Sequence, residues 1–358
     1  MTILRAGAGE APYDILLGPL DEAGPRLTAL SRGRALPLVT DAHVFALHGD
    51  RLKALVAVEP ILVPEGEAAK HWDVLAQLLG DFSRLDVTRD TPIIAFGGGS
   101  IGDVAGLAAS LFKRGCPIVH IPTTLLALAD SAIGGKTAID WDNQKNLVGT
   151  FHQPSLVIAD SALLDTLDAR QLRAGYAEIV KYGLIDDLAF FAWCEANGAA
   201  LIAGDQTLRH AAIEHCIAAK LRLVAGDIED RSGARAQLNL GHSFAHAIES
   251  ASGLGALLHG EAVAIGLCLA FGFSVELGLC RVADETRVAR HLALIGLPTR
   301  LDEIGLSGRG DDLLDAIRRD KKAGPEGIAL VLARGIGQAE IFRAIDPRRL
   351  AQFLAEAV

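Results

Sequence analysis

The 358-residue sequence lacks an excess of positive charge, a Cys-x-x-Cys pair and an apolar run long enough to cross a bilayer. The formal net charge of -10 argues against nucleic acid or an anionic membrane as the main partner, because either would reward a basic face. The five cysteines are odd in number and unpaired in spacing, which indicates a reduced, cytoplasmic protein. The first residues contain no apolar core typical of a signal peptide. The longest apolar run, 262–275, lies between two glutamates and predicts a buried helix.

The length and the order of apolar patterns predict two domains. From residue 13 to about residue 167, short β-branched runs alternate with helical stretches, which is typical of a mostly parallel α/β sheet. After residue 165 long helical patterns dominate, with a candidate hairpin at 327–342. We therefore expect an α/β domain over 1–164 followed by an all-helical domain over 165–358. The predicted strands are 35–41, 57–64, 91–99, 116–122 and 155–160, and the predicted helices of the first domain are 69–85 and 102–112.

A glycine-rich turn follows the third predicted strand. Residues 97–103 read GGGSIGD and satisfy G-x-G-x-x-G between a strand and a helix, where backbone amides can approach a pyrophosphate. The acidic residue expected after the next strand is missing, since that strand ends at Pro122, so a tight turn without a ligand is the alternative. Asp41, Glu67 and Lys70 are candidate ribose or adenine contacts, or ordinary surface residues.

A second polar stretch, 121–149, offers cations and amides for an anionic ligand. Lys136, Lys145 and Asn146 are expected on Ser/Thr-rich and Gly-rich turns, and their donors suit phosphate or carboxylate oxygens. The stretch is not a Walker A loop, because the first glycine of that motif would fall on Asp130, and this disfavours an NTPase. Asp130 can hold a substrate hydroxyl, whereas the alternative for each lysine is a solvated surface charge.

Three histidines and a glutamate point to a metal site in the second half. His242 and His246 lie one helical turn apart on the same face, and His259 follows in a turn beyond them. Glu178 and Lys181 share a helix face among apolar neighbours, and a buried carboxylate requires a cation. A glutamate with two histidines leaves an open position, as in catalytic zinc sites. Surface histidines and a solvated Glu-Lys pair are the alternative.

Taken in order, these motifs resemble the dehydroquinate synthase family of sugar-phosphate cyclases. The resemblance extends over about residues 41–322 and includes GGGSIGDVAG, KRG, IPTTLLA, DSAIGGKT, KNLVGTFHQP, AGYAEIVKYGLI, RAQLNLGHSFAHAIE, LHGEAVAIG and DKK. It implies a Rossmann-like nucleotide-binding α/β domain followed by an all-helical metal-binding domain. It also implies conversion of 3-deoxy-D-arabino-heptulosonate 7-phosphate to 3-dehydroquinate and phosphate in the shikimate pathway, with NAD oxidising the substrate transiently.

The resemblance also implies roles for individual residues. The metal, Zn²⁺ or Co²⁺, is expected on Glu178, His242 and His259. His246 is expected to relay protons, and Arg114 to reach the neighbouring subunit of a homodimer. Substrate contacts are expected from Asp130, Lys136, Lys145, Asn146, Lys181, Arg235, Asn239, His246 and one of Lys321 or Lys322. NAD contacts are expected from Asp41, Glu67, Lys70, Gly97, Gly98, Gly99, Asp103, Thr123, Thr124, Leu126, Asp130, Ser131, Lys136, Lys145, Thr166 and Leu167.

The sequence departs from the family pattern at His43, commonly Asn, and at Gln171, commonly Glu, and both concern the adenosine side of the NAD site. GGKTAID replaces the commoner GGKTGVN and keeps the lysine, and GGKT favours the shikimate-pathway member over sister cyclases that read GIKT or SIKQ. Two other functions compete with this one. A metal-dependent polyol dehydrogenase would need fewer phosphate donors and would accumulate NADH, and a catalytically inactive regulator would show no turnover.

Overall fold

The computed structural model describes residues 1–7, 12–142, 144–225, 227, 234–253, 255–319 and 327–357. The strands are β1 Thr2–Ala6, β2 Tyr13–Leu17, β3 Leu36–Asp41, β4 Val58–Val63, β5 Ile93–Gly97, β6 Ile118–Pro122, β7 Lys136–Trp141, β8 Gln144–Phe151, β9 Leu156–Ala159, β10 Ile328–Gly335 and β11 Gln338–Ile345. The helices are α1 Gly24–Ser31, α2 Ala42–Lys53, α3 Trp72–Arg84, α4 Gly99–Leu111, α5 Ala169–Asp186, α6 Leu188–Ile202, α7 Gln206–Val224, α8 His242–Ser252, α9 His259–Glu276, α10 Val282–Ile295, α11 Gly310–Arg319 and α12 Pro347–Glu356.

The chain forms two compact units, and each unit consists of two separate stretches of the sequence. The first unit comprises Met1–Asp168 and Gln206–Glu229, and the second comprises Ala169–Asp205 and Asp230–Val358. The sequence predicted a single boundary after Leu164. Helix α7 therefore packs with the α/β unit, although it follows two helices of the second unit along the chain.

The first unit is built on a seven-stranded sheet of order β1-β2-β9-β6-β5-β3-β4. Apart from the antiparallel β1–β2 pair, the neighbouring strands are parallel. Strands β3, β5, β6 and β9 are buried along their whole length, because helices cover both faces of a parallel sheet. The five strands predicted from apolar runs are all present, which confirms the parallel α/β domain.

Alternate residues of each central strand enter two separate cores. Ile93 and Ala95 of β5 pack in a core with residues of α3 and α4, whereas Ile94 and Phe96 pack in a second core with residues of α1 and α2. Each fully buried Leu, Ile or Phe stabilises the fold by roughly 1.5–3 kcal/mol relative to an exposed one. The alternation therefore anchors β5 from both sides and holds its carboxyl end in place.

Strand β3 is the point where the sheet order reverses. It pairs with β4 on one side and with β5 on the other. The carboxyl ends of β3 and β5, at Asp41 and Gly97, therefore flank the position where open α/β sheets bind ligands.

Two departures from the sequence-based expectations concern local structure. The stretch that carries Lys136, Lys145 and Asn146 forms the antiparallel β7–β8 hairpin, so the prediction of turns there is wrong. The candidate hairpin at 327–342 is present as β10–β11, so the second unit is mainly but not wholly helical.

Helix α9 has the length and composition of a membrane span, yet 72% of it is buried inside the protein.

Candidate active site

The glycine-rich turn between β5 and α4 brings backbone close to the loop after β6. A Cβ at Gly98 would lie 3.1 Å from Thr124 Cγ2, and one at Gly99 would lie 2.9 Å from Ser131 Oγ. Thr123 donates its backbone N–H to the carbonyl of Gly97 at 3.0 Å. Glycines at these positions therefore let the turn pack closely against the loop after β6.

A cleft lies beside this turn. Its lining includes predicted NAD contacts and the buried His120, whose ring lies 3.4 Å from where a Gly102 side chain would begin. Burial, then the nearby His152, lowers the pKa of His120 to about 4, so this imidazole is neutral at pH 7. The lining residues are Ala95, Gly97, Gly98, Gly99, Gly102, Asp103, His120, Pro122, Ala127, Ser131, Ala132 and Lys136. The cleft lies at the N-terminus of α4, which is the kind of position that can bind a pyrophosphate.

Lys70 connects the predicted nucleotide contacts with the β7–β8 hairpin. Its ammonium donates to Asp103 Oδ2 at 2.8 Å and to the side-chain oxygen of Asn146. Glu67 Oε1 lies 3.6 Å from Lys145 Nζ. Burial alone would lower the pKa of Lys70, but the charges of Asp103 and Glu67 raise it, so the side chain stays cationic. The structure thus gathers residues that the sequence assigned to two different ligands.

Lys220 of α7 binds the loop after β6, and the sequence analysis missed this residue. Asp130 lies on a single π-helical turn, Ala127–Ser131, directly after Leu126. Lys220 of α7 donates to the carboxylate of Asp130 at 2.8 Å and to its backbone carbonyl at 2.7 Å. Lys220 is only 6% exposed, and the apolar sequence AAKLRLV around it is the signal that could have revealed it.

The remaining predicted residues of the first unit are more dispersed. Asp41 accepts the N–H of Val44 at 2.8 Å and caps α2, which leaves one carboxylate oxygen for another donor. Thr166 Oγ1 lies 2.8 Å from His48 Nε2, and Leu167 follows it at the end of a short helix. Arg114 is exposed after the end of α4, with a left-handed φ of 67°.

In the second unit, Glu178 and two histidines converge. Glu178 Oε1 lies 3.4 Å from His242 Nε2 and 3.4 Å from His259 Nε2. One ligand atom from each of these three residues lies within 4.8 Å of the others. Two imidazole nitrogens and one carboxylate oxygen are the donor set of a catalytic zinc site with an open position.

The second nitrogen of each imidazole faces an acceptor. His242 Nδ1 lies 3.1 Å from the carbonyl of Leu240, and His259 Nδ1 lies 3.2 Å from Glu249 Oε1. Because a backbone carbonyl and an ionised carboxylate only accept hydrogen bonds, Nδ1 of each ring carries a hydrogen and Nε2 is the nitrogen on the Glu178 side. The rings are therefore oriented as metal ligands require.

Lys181 places a buried positive charge beside Glu178, among apolar side chains. Its ammonium pairs with Glu178 Oε2, and both residues are 1% exposed. Burial alone would raise the pKa of Glu178, but Lys181 and His242 hold it well below its usual range. Burial, followed by the Lys181 charge, lowers the pKa of His242 to about 4. Burial alone would lower the pKa of His259, but hydrogen bonds to Glu178 and Glu249 raise it to about 10.

His246 stands next to the Glu178, His242 and His259 set without being part of it. Its ring centroid lies 5.8 Å from that of His242 and 6.4 Å from that of His259. Arg235 and Asn239 lie on the short helix Ala234–Asn239 just before α8, and Arg235 is buried. Lys321 and Lys322, one of which was expected to reach the substrate, lie outside the described residues.

Close helix packing brings the three ligands together. A Cβ at Gly260 would lie 1.8 Å from the carbonyl oxygen of Ala174, so α9 meets α5 directly beside His259. A Cβ at Gly266 would lie 2.3 Å from the carbonyl oxygen of Gly241, so α9 also meets the start of α8. Arg170 forms two hydrogen bonds of 2.6 and 2.8 Å with Glu261, which ties the first turns of α5 and α9. Glycines at both crossings thus fix the spacing of Glu178, His242 and His259.

The first unit contains a mainly parallel sheet with a glycine turn at the point where the strand order reverses, and the second contains the Glu178, His242 and His259 set. Together these features are typical of nucleotide-binding, metal-dependent enzymes. Profiles described as 3-dehydroquinate synthase N-terminal and C-terminal match residues 60–174 and 175–323. The chain belongs to the 3-dehydroquinate synthase family.

Individual relatives agree with this assignment. The chain is 47% identical to a 3-dehydroquinate synthase of Zymomonas mobilis, over 95% of this chain and 92% of that protein. Among solved structures, it is similar to 2-epi-5-epi-valiolone synthase from Streptomyces hygroscopicus with NAD⁺ and Zn²⁺ bound, with 32% identity, a TM-score of 0.89 and coverage of 98% and 97%. It is also similar to a 2-deoxy-scyllo-inosose synthase complexed with carbaglucose-6-phosphate, NAD⁺ and Co²⁺, with 25% identity, a TM-score of 0.87 and full coverage of both chains at 100%.

Proposed function

We propose that Glu178, His242 and His259 hold the catalytic metal of a 3-dehydroquinate synthase. The enzyme converts 3-deoxy-D-arabino-heptulosonate 7-phosphate to 3-dehydroquinate and phosphate, and it depends on NAD and on Zn²⁺ or Co²⁺. The observation that carries the proposal is the convergence of two Nε2 atoms on one buried carboxylate oxygen, in a chain of this family. The similar cyclase structures, which contain NAD⁺ with Zn²⁺ or with Co²⁺, support the choice of cofactors.

The metal fits the chemistry of its ligands. Nε2 of His242 and His259 and the carboxylate of Glu178 supply three donors and leave an open position for substrate. A divalent ion held there lowers the pKa of a coordinated substrate hydroxyl. Lys181 keeps Glu178 ionised, which is the state that binds a cation.

NAD fits the first unit. The amides of the Gly97 to Gly99 turn would face the pyrophosphate, with Asp103, Thr123, Thr124, Leu126 and Ser131 around it. Asp41, at the carboxyl end of β3, would accept hydrogen bonds from the adenosine ribose, and Glu67 and Lys70 would flank the same end. Thr166 and Leu167 complete the contacts. NAD held by these residues would supply a hydride acceptor for the transient oxidation of the substrate.

Proton transfer falls to His246, and Lys181 assists by its charge. His246 is adjacent to the metal ligands on α8 yet outside the Glu178, His242 and His259 set, so its ring can exchange protons with substrate oxygens. The Lys181 ammonium stabilises negative charge that develops beside Glu178.

A second group of residues binds the anionic parts of the substrate. Lys136, Lys145, Asn146, Arg235, Asn239 and Arg114 supply ammonium, guanidinium and amide donors, and Asp130 accepts from a substrate hydroxyl. Lys220 holds the Asp130 carboxylate in place. Donors of this kind orient phosphate and carboxylate in reacting geometry. They are unexpected in a chain of net charge -10 unless an anion is bound during the reaction.

The reaction class can be tested by stoichiometry. A cyclase oxidises the substrate, eliminates phosphate and reduces the ketone again, so one NAD supports many turnovers. We expect many phosphates released per bound NAD and little net NADH absorbance at 340 nm. Formation of one NADH for each substrate consumed would identify a dehydrogenase instead.

The anion-binding role can be tested separately at Lys136. Lys136→Ala removes one partner of a charge-assisted hydrogen bond, which costs about 1.5–3 kcal/mol, or roughly 10- to 150-fold in kcat/KM. Lys53→Ala is a matched control, since Lys53 is an exposed lysine of the same unit that pairs with Asp50 on α2. Equal kcat/KM in both variants would remove Lys136 from the site.

The assembly and location extend this proposal. We place the enzyme in the cytoplasm as a homodimer, and Arg114, exposed at the end of α4, is the residue that reaches the partner subunit. The two compact units act as the NAD-binding and the metal-binding domain. Light scattering after size-exclusion chromatography measures the mass, and a monomer at active concentrations contradicts the dimer.

A further inference from the structure

Glu249 is a buried carboxylate that the reaction does not use directly. It lies on α8, seven residues after His242, and it is 4% exposed. Its Oε1 lies 3.2 Å from Nδ1 of His259, a residue of the next helix. A carboxylate in an apolar interior is unfavourable unless it is hydrogen-bonded. The His259 N–H provides one hydrogen bond that offsets part of the cost of burying Glu249.

The two histidine ligands are held in unequal ways. His242 Nδ1–H donates to the carbonyl of Leu240, a neutral acceptor two residues away on its own segment. His259 Nδ1–H donates to a charged acceptor on a different helix. Hydrogen bonds to ionised acceptors are roughly twice as strong as those between neutral groups. His259 is therefore the ligand whose orientation depends on a tertiary contact.

Helix α9 begins at His259, so the side chain has no preceding turn of its own helix to pack against. It is 30% exposed, against 12% for His242. A side chain at such a position samples several rotamers unless a partner fixes its ring. The Glu249 carboxylate lies where it selects the rotamer that points Nε2 at Glu178.

We propose that Glu249 is a positioning residue that orients His259 and increases its strength as a metal ligand. The proposal rests on the metal site proposed above. The carboxylate keeps the proton on Nδ1, which leaves the Nε2 lone pair for the metal, and its charge increases electron donation from the ring. Glu249 itself makes no contact with the metal or the substrate in this arrangement.

Metal binding by the full-length apoprotein tests the proposal without an activity assay. Outer hydrogen-bond partners of metal ligands typically contribute 10- to 100-fold in affinity. We expect Glu249→Ala to weaken Zn²⁺ and Co²⁺ binding by about 10- to 100-fold, as measured by competition with a chromophoric chelator. The visible absorption of bound Co²⁺ should shift, and ¹⁵N-histidine spectra should show His259 losing its fixed Nδ1–H form.

Glu249→Gln keeps the size of the side chain but removes its charge. Its metal affinity therefore tests the role of that charge if the alanine variant does not fold. We expect about tenfold weaker Co²⁺ binding for Glu249→Gln. The matched control is Glu276→Gln, which removes a surface charge at the far end of α9 and should bind metal like the unmodified protein. Unchanged affinity and Co²⁺ spectrum in Glu249→Gln would overturn the proposal. Failure of the unmodified protein to bind either ion would instead contradict the metal site itself.

Discussion

Three histidines around Glu178 have three different surroundings. His242 is held by a backbone carbonyl, His259 by the Glu249 carboxylate, and His246 lies at a ring distance of about 6 Å from both. Nε2 of the first two faces Glu178, which supports the proposed roles of two metal ligands and one nearby acid-base group. Spacing along the sequence alone placed His242 and His246 as an equivalent pair.

Substitution of His246 tests that separation. His246→Ala should retain stoichiometric metal and lose on the order of 10²-fold or more in kcat, the usual contribution of a positioned acid-base group. His259→Ala is the comparison variant and should lose metal together with activity. Metal content by atomic emission and kcat by phosphate release measure the two effects. Equal loss of metal in both variants would show that the two roles are assigned wrongly.

At the scale of elements, the metal ligands depend on how closely α9 approaches two other helices. Gly260 lies against the backbone of α5, and Gly266 lies against the start of α8. Neither contact involves a side chain that could move aside, because the nearest atoms are backbone atoms. The separation of Glu178, His242 and His259 is therefore set by the helix crossings.

Gly260→Ala should displace the start of α9 from α5. Its Cβ would lie 1.8 Å from the Ala174 carbonyl oxygen, so the helices must separate and carry His259 away from Glu178. We expect the variant to bind Co²⁺ at least tenfold more weakly, since a ligand shift of even 1 Å disrupts a metal site.

Gly272→Ala on the same helix is the control for this experiment. Its Cβ would meet the ring end of Phe353 at 3.3 Å and no backbone atom at closer range, so that side chain can move slightly. Alanine also favours helix over glycine by about 1 kcal/mol. If Gly260→Ala binds Co²⁺ as tightly as Gly272→Ala, the crossing does not determine the site.

Sequence patterns anticipated the elements that are apolar throughout and missed those that are not. Strands such as β5 and the buried helix α9 follow from continuous or periodic hydrophobicity. The β7–β8 hairpin was missed because its exposed face carries lysine, aspartate and asparagine, and its Gly-rich flanks are typical of turns. Glu249 and Lys220 were missed because their importance arises from partners distant in sequence, which a local pattern does not contain.

At the scale of the whole molecule, the two proposed cofactors belong to different compact units. The glycine turn and its cleft lie in the first unit, and the Glu178, His242 and His259 set lies in the second. A ligand that binds only the folded form stabilises the structure it contacts and slows local opening there.

Hydrogen exchange should therefore respond to each cofactor in a separate region. NAD alone should slow exchange in 93–131, whereas Zn²⁺ alone should slow exchange in α5, α8 and the first turns of α9. Peptide-resolved mass spectrometry of the apoprotein with each addition measures both effects, and a Mg²⁺ addition controls for ionic strength. Protection by Zn²⁺ confined to the first unit would contradict the assignment of cofactors to units.

Because each unit consists of two separate stretches of the sequence, the parts of one unit leave the ribosome at different times. The strands β1 to β9, which are those that the structure describes in the first unit, emerge before α5, but α7 follows only after α5 and α6 of the other unit. The buried ammonium of Lys220, which pairs with Asp130, therefore arrives late. A nascent chain that ends at Asp168 already contains all strands of the seven-stranded sheet. It still lacks Lys220, so the ion pair with Asp130 cannot form until α7 has been synthesised.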